Sequence, residues 1–350
     1  MSDSTTDDAA SISRPADTMR ERVGESRPKI WFLISANRFS VTGVFLLGTL
    51  VVLLVLGTFG PHSIRMLLTT DAAGTLFSSM IIAIVTSVTL VLTISQFVLS
   101  QEIGPLGKQR QRMQSAVDFR EDVESASEIG PSPSDPSAFL RALVEATAAK
   151  AEALDDAATG SGDPEAAVKP ITSYTDGLIE HSEQVIDQLE GAEFGSFAVL
   201  LPVLNYNYSW KIAAARSLRA DHGDTISAET DDAFGELLRM LRFFGPAREH
   251  FKTLYFQWES VNLARAMLYA AMPALAVSAY MIIAFDPAAV AGVTAGIDTA
   301  LLVVSVVFVV TLTPFAVLLA YLLRILTVAK RTLAIGPFVL RNSELSEDVR

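Results

Sequence analysis

Residues 76–99 read LFSSMIIAIVTSVTLVLTISQFVL, a run of 24 residues without a charged side chain. An α-helix rises about 1.5 Å per residue, so about 20 apolar residues cross the roughly 30 Å hydrocarbon layer of a bilayer. Residues 41–60, 264–285 and 298–323 meet the same test, and their few ionisable residues lie at their ends. The sequence therefore predicts an all-α, polytopic membrane protein with four transmembrane helices.

The composition supports the same conclusion. Of the 350 residues, 50% are hydrophobic and 19% are charged, whereas soluble domains hold about 25% charged residues. This balance argues against a soluble enzyme and also against a disordered chain. The chain has no cysteine, which excludes disulfides and cysteine-ligated metals. Because the formal net charge is −12, we expect no nucleic-acid partner.

Lysine and arginine predict the orientation, because they accumulate in the cytoplasmic flanks of transmembrane helices. The two short loops inside the hairpins contain one such residue, Arg65, while every other flank contains at least three. Both termini and the middle segment are therefore predicted to lie in the cytoplasm, with the chain in the cell membrane. The predicted segments are a disordered polar tail at 1–29, a membrane hairpin at 30–107, a cytoplasmic domain at 108–262, a second hairpin at 263–329 and a cytoplasmic tail at 330–350.

The middle segment is strongly acidic. Residues 101–263 carry 27 acidic residues against 14 basic ones, so the negative balance of the chain lies there. An acidic, lysine-poor surface is typical of proteins from a salt-rich cytoplasm, and we expect a haloarchaeal source. Attraction of a cationic partner is the alternative explanation.

Helix signals dominate this acidic segment. Asp135-Pro136 and Asp163-Pro164 each predict an N-cap followed by a proline at the first helical position. Gly160-Ser161-Gly162 predicts a short turn between two antiparallel helices, and Gly245-Pro246 predicts a break before the third span. The segment is therefore predicted to be a cytoplasmic helical bundle inserted between the second and third spans.

The sequence contains no catalytic pattern. It lacks a nucleophile elbow and a phosphate-binding loop, and four histidines lack metal-ligand spacing: His62, His181, His222 and His250. We therefore expect no enzymatic activity, no cofactor and no metal ion. The aromatic residues Tyr206, Tyr208 and Trp210 are expected to pack a helix junction and not to bind a ligand.

The second span carries a polar stripe. Its hydroxyl and amide residues recur at spacings of seven, three, four, three and four, which places them on one helix face. They are Ser79, Thr86, Thr89, Thr93, Gln96 and Ser100. Two interpretations stay open: helix–helix packing, or the wall of a pore whose groups replace part of an ion's hydration shell. In a pore, Glu102 would lie near the cytoplasmic mouth.

The third span carries a different pattern, in which small residues recur every four positions. These residues are Ala266, Ala270, Ala274 and Ser278. Small side chains let helix backbones approach closely in a membrane. This stripe therefore predicts a helix-packing face.

Residues 67–105 resemble part of a family of uncharacterised prokaryotic multi-pass membrane proteins. The resemblance rests on 67–73 (LLTTDAA), on the serines and threonines of the second span, and on 100–105 (SQEIGP). Gly104 precedes the proline and leucine follows it, where the family tends to have arginine after the proline; the large insert is also unusual for the family. The resemblance implies membrane placement and no established activity.

These observations lead to two hypotheses about function. The first is an oligomeric, channel-like pore, a homo-oligomer in the lipid bilayer lined by the polar stripe. Four helices alone hardly enclose an aqueous pore, so several subunits around an axis are required. The alternative is a non-conducting, membrane-anchored scaffold or sensor whose cytoplasmic domain binds a protein partner.

Overall fold

The structure is a computed structural model that describes residues 36–60, 71–128, 130–192 and 197–331. The predicted N-terminal tail at 1–29 and most of the predicted C-terminal tail at 330–350 lie outside these residues. The described chain forms two compact units. We call Leu106–Tyr255 the helical domain, and we call the described parts of Ser26–Pro105 and Phe256–Lys330 the apolar unit.

The apolar unit contains the four predicted spans. Helix α1 is Arg38–Phe59 and α2 is Ala72–Glu102. The helical domain supplies α3 to α7, which are Leu106–Ser127, Pro136–Gly160, Glu165–Leu189, Phe197–Asn205 and Tyr208–His222. Helix α8 is Ala228–Ala284, and its C-terminal part belongs to the apolar unit; α9, Thr299–Arg331, follows it. Helices α1, α2, α8 and α9 are each long and apolar enough to cross a membrane, as the sequence predicts.

A short hairpin joins α8 to α9. Strand β1, Val293–Thr294, pairs antiparallel with β2, Ile297–Asp298. The two connecting residues, Ala295 and Gly296, both have positive φ angles, of 53° and 80°. Two such residues form the tight turn that matches the twist of paired strands. The Asp298 carboxylate then accepts a hydrogen bond from the Ala300 N–H, at 2.9 Å, at the start of α9.

The helical domain has one hydrophobic core. Helices α4 and α5 form a helical hairpin and bury Leu140, Leu143, Ile171 and Leu178 completely or almost completely. The predicted start of α4 is confirmed, because Asp135 accepts a hydrogen bond from the Ala138 N–H at 2.9 Å. The Ser137 hydroxyl also donates to this carboxylate. Both hydrogen bonds favour the charged form, so the pKa of Asp135 lies below its usual range.

The predicted role of Asp163 is wrong. Helix α5 begins at Glu165 without a side-chain cap, and the Asp163 carboxylate bonds to a different helix. It accepts hydrogen bonds from the Ser227 N–H at 2.7 Å and from the Thr230 hydroxyl at 2.6 Å, at the start of α8. A carboxylate satisfies the unpaired N–H groups of any helix start within its reach. The sequence around Asp163 does not reveal which helix start its carboxylate will reach.

The predicted helix break at Gly245-Pro246 is also wrong, since α8 continues through it. Glycine leaves room for a neighbour here, since a Cβ atom at position 245 would lie 3.1 Å from the Tyr208 ring, which would then have to shift slightly. A proline inside a helix costs about 3 kcal/mol. Phe244 and Ala247, on either side of the pair, are both buried in the domain core. This packing outweighs the local preference for a break.

Candidate functional site

One face of α2 packs inside the apolar unit. Its buried residues are Ala73, Phe77, Ile84 and Val91. Phe77 packs in one cluster with Met281 and Ala300, Ile84 with Ala271 and Ala274, and Val91 with Met267 and Val317. Helix α2 therefore uses a single line of residues, spaced four or seven apart, to contact α8 and α9.

The polar stripe lies on the opposite face of α2. A helix turns about 100° per residue, so Thr93, nine positions after Ile84, lies about 180° around the helix from it. All six residues predicted from the sequence are exposed in the structure: Ser79, Thr86, Thr89, Thr93, Gln96 and Ser100. Among the residues that the structure describes, the stripe therefore takes no part in the packing of α2. Glu102 is the last residue of α2, and its side chain is not among those described.

The hydroxyl groups of the stripe donate to their own helix. Thr86, Thr89 and Thr93 each donate to the carbonyl four residues earlier, at 2.8 Å. Ser79 and Ser100 donate to the carbonyls of Thr75 and Phe97 in the same manner, at 2.9 and 2.7 Å. A hydroxyl has one proton and two lone pairs. The five hydroxyl groups of the stripe therefore present oxygen atoms that accept hydrogen bonds but have no free proton to donate.

Gln96 differs from these hydroxyl residues. Its amide is exposed, and no hydrogen bond to this side chain is found within the described parts of the chain. A primary amide has two donor protons and one acceptor oxygen. In hydrocarbon, each unsatisfied group of this kind costs free energy. Gln96 is therefore the member of the stripe with the strongest need for a polar partner outside its own chain.

The outward faces of the other three apolar helices differ from that of α2. Their large exposed side chains are apolar through most of each span. On α1 these are Val44, Leu47, Val51, Val52, Val55 and Leu56, and on α9 they are Val306, Val310, Leu319, Leu322 and Leu326. On α8 they include Leu268, Met272, Ile282 and Ile283, with Tyr269 and Tyr280 beside them. Lipid tails satisfy such faces. Helix α2 also exposes large apolar side chains, among them Ile82 and Phe97, but of the four apolar helices in the described residues it is the one whose outward side also carries a long row of hydroxyl and amide groups.

The predicted packing stripe of the third span is placed partly on the buried face of α8. Ala274 and Ser278 are completely buried, and the Ser278 hydroxyl donates to the Ala274 carbonyl at 2.7 Å. Ala266 and Ala270 are half-buried. The buried line also includes Met267 and Ala271, which a search for small residues every four positions does not find.

A charged cluster that was not predicted from the sequence lies at the start of α1. The Arg38 guanidinium forms two contacts with the Glu259 carboxylate: Nε lies 2.9 Å from Oε2, and Nη2 pairs with Oε1. Arg38 also lies over the Tyr321 ring, with Cζ 5.0 Å from the ring centroid. Buried Arg324 donates to the Ala36 carbonyl. Arg38 and Glu259 are 221 positions apart, so no local signal reveals this pair.

A second buried cluster lies at the junction of α6 and α7. Tyr206 is 1% exposed; its ring lies 4.6 Å from the Phe244 ring and 5.1 Å from the Lys211 ammonium nitrogen, and its hydroxyl is 3.1 Å from that of Ser182. Tyr208 is also buried, so the predicted junction packing is confirmed for both tyrosines, while Trp210 is half-buried. Burial raises the pKa of the nearby Tyr174 phenol well above its usual range, and Tyr206 adds to this effect. These groups pack the domain core, and they present no site open to solvent.

The described residues contain no group of three or more histidine, aspartate or glutamate side chains placed to hold a metal ion. No curated protein and no solved structure matches this chain. The resemblance predicted from the sequence concerned residues 67–105, whereas a family match extends over residues 2–350. That family is described as a family of unknown function, DUF7972, and the chain belongs to it.

Proposed function

We propose that this chain is one subunit of a homo-oligomeric, channel-like membrane protein in which α2 of each subunit faces a shared polar path. The observation that carries the proposal is the outward position of the polar stripe, directly opposite the packed face of α2. In a monomer this face would meet hydrocarbon. In a ring of subunits it would meet water and the same face of neighbouring copies.

The chemistry of the stripe favours cations as the permeant species. The hydroxyl protons of Thr86, Thr89 and Thr93 are donated to backbone carbonyls, so the oxygen lone pairs remain for a solute. Oxygen acceptors replace the water around a cation, whereas an anion requires donors. Helix α2 also contains no lysine or arginine, and exposed Asp71 directly precedes it.

We test the pore with Thr93→Leu. Each subunit of the variant would lose an oxygen from the polar path and gain an apolar wall, and we expect vesicle flux of potassium to fall by roughly tenfold or more. Thr93→Ser is the matched control, because it keeps the hydroxyl; its flux should stay near that of the wild type. Both variants should fold as well as the wild type, since Thr93 is exposed.

The pore proposal is overturned by wild-type vesicles whose flux does not exceed that of protein-free vesicles. It is also overturned if Thr93→Leu conducts as well as Thr93→Ser. The size of the purified particle provides a further discrimination, because a ring-shaped oligomer supports the pore and a monomer contradicts it.

The orientation is part of the proposal. We place both termini and the helical domain in the cytoplasm, because basic residues accumulate on that side. Lys108, Arg110 and Arg112 follow α2, while the loop between α1 and α2 contains a single lysine or arginine, Arg65. A reporter enzyme that works only in the cytoplasm and is inserted at Asp176, an exposed residue of α5, is expected to be active. A reporter at the same position that works only outside the cell should be silent, and the opposite result overturns this orientation.

A membrane-anchored scaffold or sensor is the second candidate function. The observation that favours it is the single, separate core of the helical domain, which extends from Val123 to Ala247. A domain with its own core has the stability needed to bind a partner independently of the spans. This candidate requires no flux and no ring of subunits, so the vesicle and particle measurements distinguish it from the pore.

A further inference from the structure

The beginning of α3 is exposed on all sides. Every residue from Leu106 to Asp118 is exposed, and only later in α3 do Val123 and Ala126 enter the domain core. Three residues separate α3 from the last residue of α2, and a chain of that length spans about 10 Å. If α2 crosses the bilayer, the first turn of α3 lies at the level of the lipid headgroups.

The same segment is basic in an acidic protein. Residues 103–117 contain Lys108, Arg110 and Arg112 and no acidic residue, although the whole chain has a net charge of −12. All three basic side chains are exposed. Lys108 and Arg112 are four positions apart, so they lie on the same side of the helix.

Exposed apolar side chains accompany these charges. Leu106, Met113 and Val117 are spaced seven and four positions apart, which places them on one side of α3. They are 85%, 69% and 37% exposed. At about 100° per residue, Arg110 lies about 40° around the helix from these apolar side chains, whereas Lys108 and Arg112 lie on the far side. A helix side that presents apolar side chains beside a basic one suits the boundary between acyl chains and negatively charged headgroups.

We propose that residues Leu106–Val117 of α3 dock on the anionic headgroups of the membrane from which α2 emerges. Each lysine or arginine near an anionic lipid surface favours binding by a factor of roughly five. Arg110, beside the apolar side chains, therefore favours docking by roughly fivefold, and Lys108 and Arg112, on the far side of the helix, add less because the attraction falls off with distance. A second copy of the same segment is a poorer partner, because pairing through the apolar side would bring the two Arg110 charges together. The proposal does not depend on whether the protein conducts ions.

The absence of cysteine allows a direct test in the full chain. Met113→Cys is labelled with a fluorophore that is sensitive to polarity, and the protein is placed in vesicles of phosphatidylcholine alone or with an equal part of phosphatidylglycerol. We expect the emission to move to the blue only in the anionic vesicles, and high salt should reverse the change.

The charge dependence is tested by adding Lys108→Gln, Arg110→Gln and Arg112→Gln together. The ratio of docked to undocked helix should then fall by roughly fivefold or more in anionic vesicles. A matched control replaces exposed Arg216, Arg239 and Arg242 with glutamine, which removes the same charge elsewhere in the helical domain. This control should keep the blue shift of the labelled parent protein.

Three results overturn the proposal. The first is an emission spectrum that is the same in both kinds of vesicle. The second is a triple variant that shifts as strongly as its parent. The third is efficient formation of disulfide-linked dimers by unlabelled Met113→Cys in both lipids, because it would place a second copy against this face.

Discussion

Replacing Glu259 with alanine is expected to lower the free energy of unfolding of the full chain by about 3 kcal/mol. Glu259 is 3% exposed, and its carboxylate holds the Arg38 guanidinium through both oxygens. Removing Glu259 leaves the half-buried Arg38 guanidinium, whose side chain is 22% exposed, without its carboxylate partner in a poorly solvated place. The unfolding midpoint of the purified protein in detergent measures the effect.

Two variants make this result specific. Glu165→Ala removes the partner of Lys169 from an ion pair whose side chains are 81% and 76% exposed, and its effect should stay below about 0.5 kcal/mol. Combining Glu259→Leu with Arg38→Met should destabilise the chain less than Glu259→Ala, because no unpaired charge remains. If Glu259→Ala lowers the free energy of unfolding as little as Glu165→Ala does, the ion pair of Arg38 with Glu259 does not hold α1 in place.

Tyr206→Ala is expected to destabilise the helical domain by about 3–5 kcal/mol. The ring fills the space between Phe244, 4.6 Å away between ring centroids, and His181, 5.3 Å away. Its removal leaves a cavity in the core and takes the aromatic face from the buried Lys211 ammonium group. Limited proteolysis of the full chain and the fluorescence of Trp210, which lies against Tyr174, measure the loss.

Tyr206→Phe separates packing from hydrogen bonding. The variant keeps the ring and loses the contact with the Ser182 hydroxyl, so we expect a cost of about 1 kcal/mol. Met113→Ala removes an exposed apolar side chain in the same domain and should change stability by less than about 0.5 kcal/mol. Equal effects of Tyr206→Ala and Tyr206→Phe would contradict the packing role of the ring.

The apolar helices could be predicted from the sequence because bilayer thickness imposes a length rule on any stretch that crosses it. The described part of the chain has four helices of that kind, at the four predicted places. The start of α4 followed from Asp135 and Pro136, because a cap acts within a few residues of itself. Asp163 and Gly245-Pro246 were mispredicted, since their conformations depend on contacts with Thr230 and Tyr208, distant in the sequence.

The candidate site was predictable to the same limited extent. Periodicity identifies which residues of α2 share a face, because the helix repeat is fixed. It does not tell whether the face turns inward or outward, which follows from the packing of Ile84 against Ala271 and Ala274. The ion pair of Arg38 with Glu259 escaped prediction for a related reason: many charged residues flank the spans, and the fold alone selects these two.

The long separation of Arg38 and Glu259 has a consequence for biosynthesis. The ribosome adds about 5–20 residues per second, so roughly 10 to 45 s pass between the appearance of the arginine and that of its partner 221 positions later. If α1 crosses the bilayer, it would have to enter the lipid during this interval without that partner, which its length and apolar sequence allow. The ion pair between α1 and α8 thus forms late in the maturation of the nascent chain.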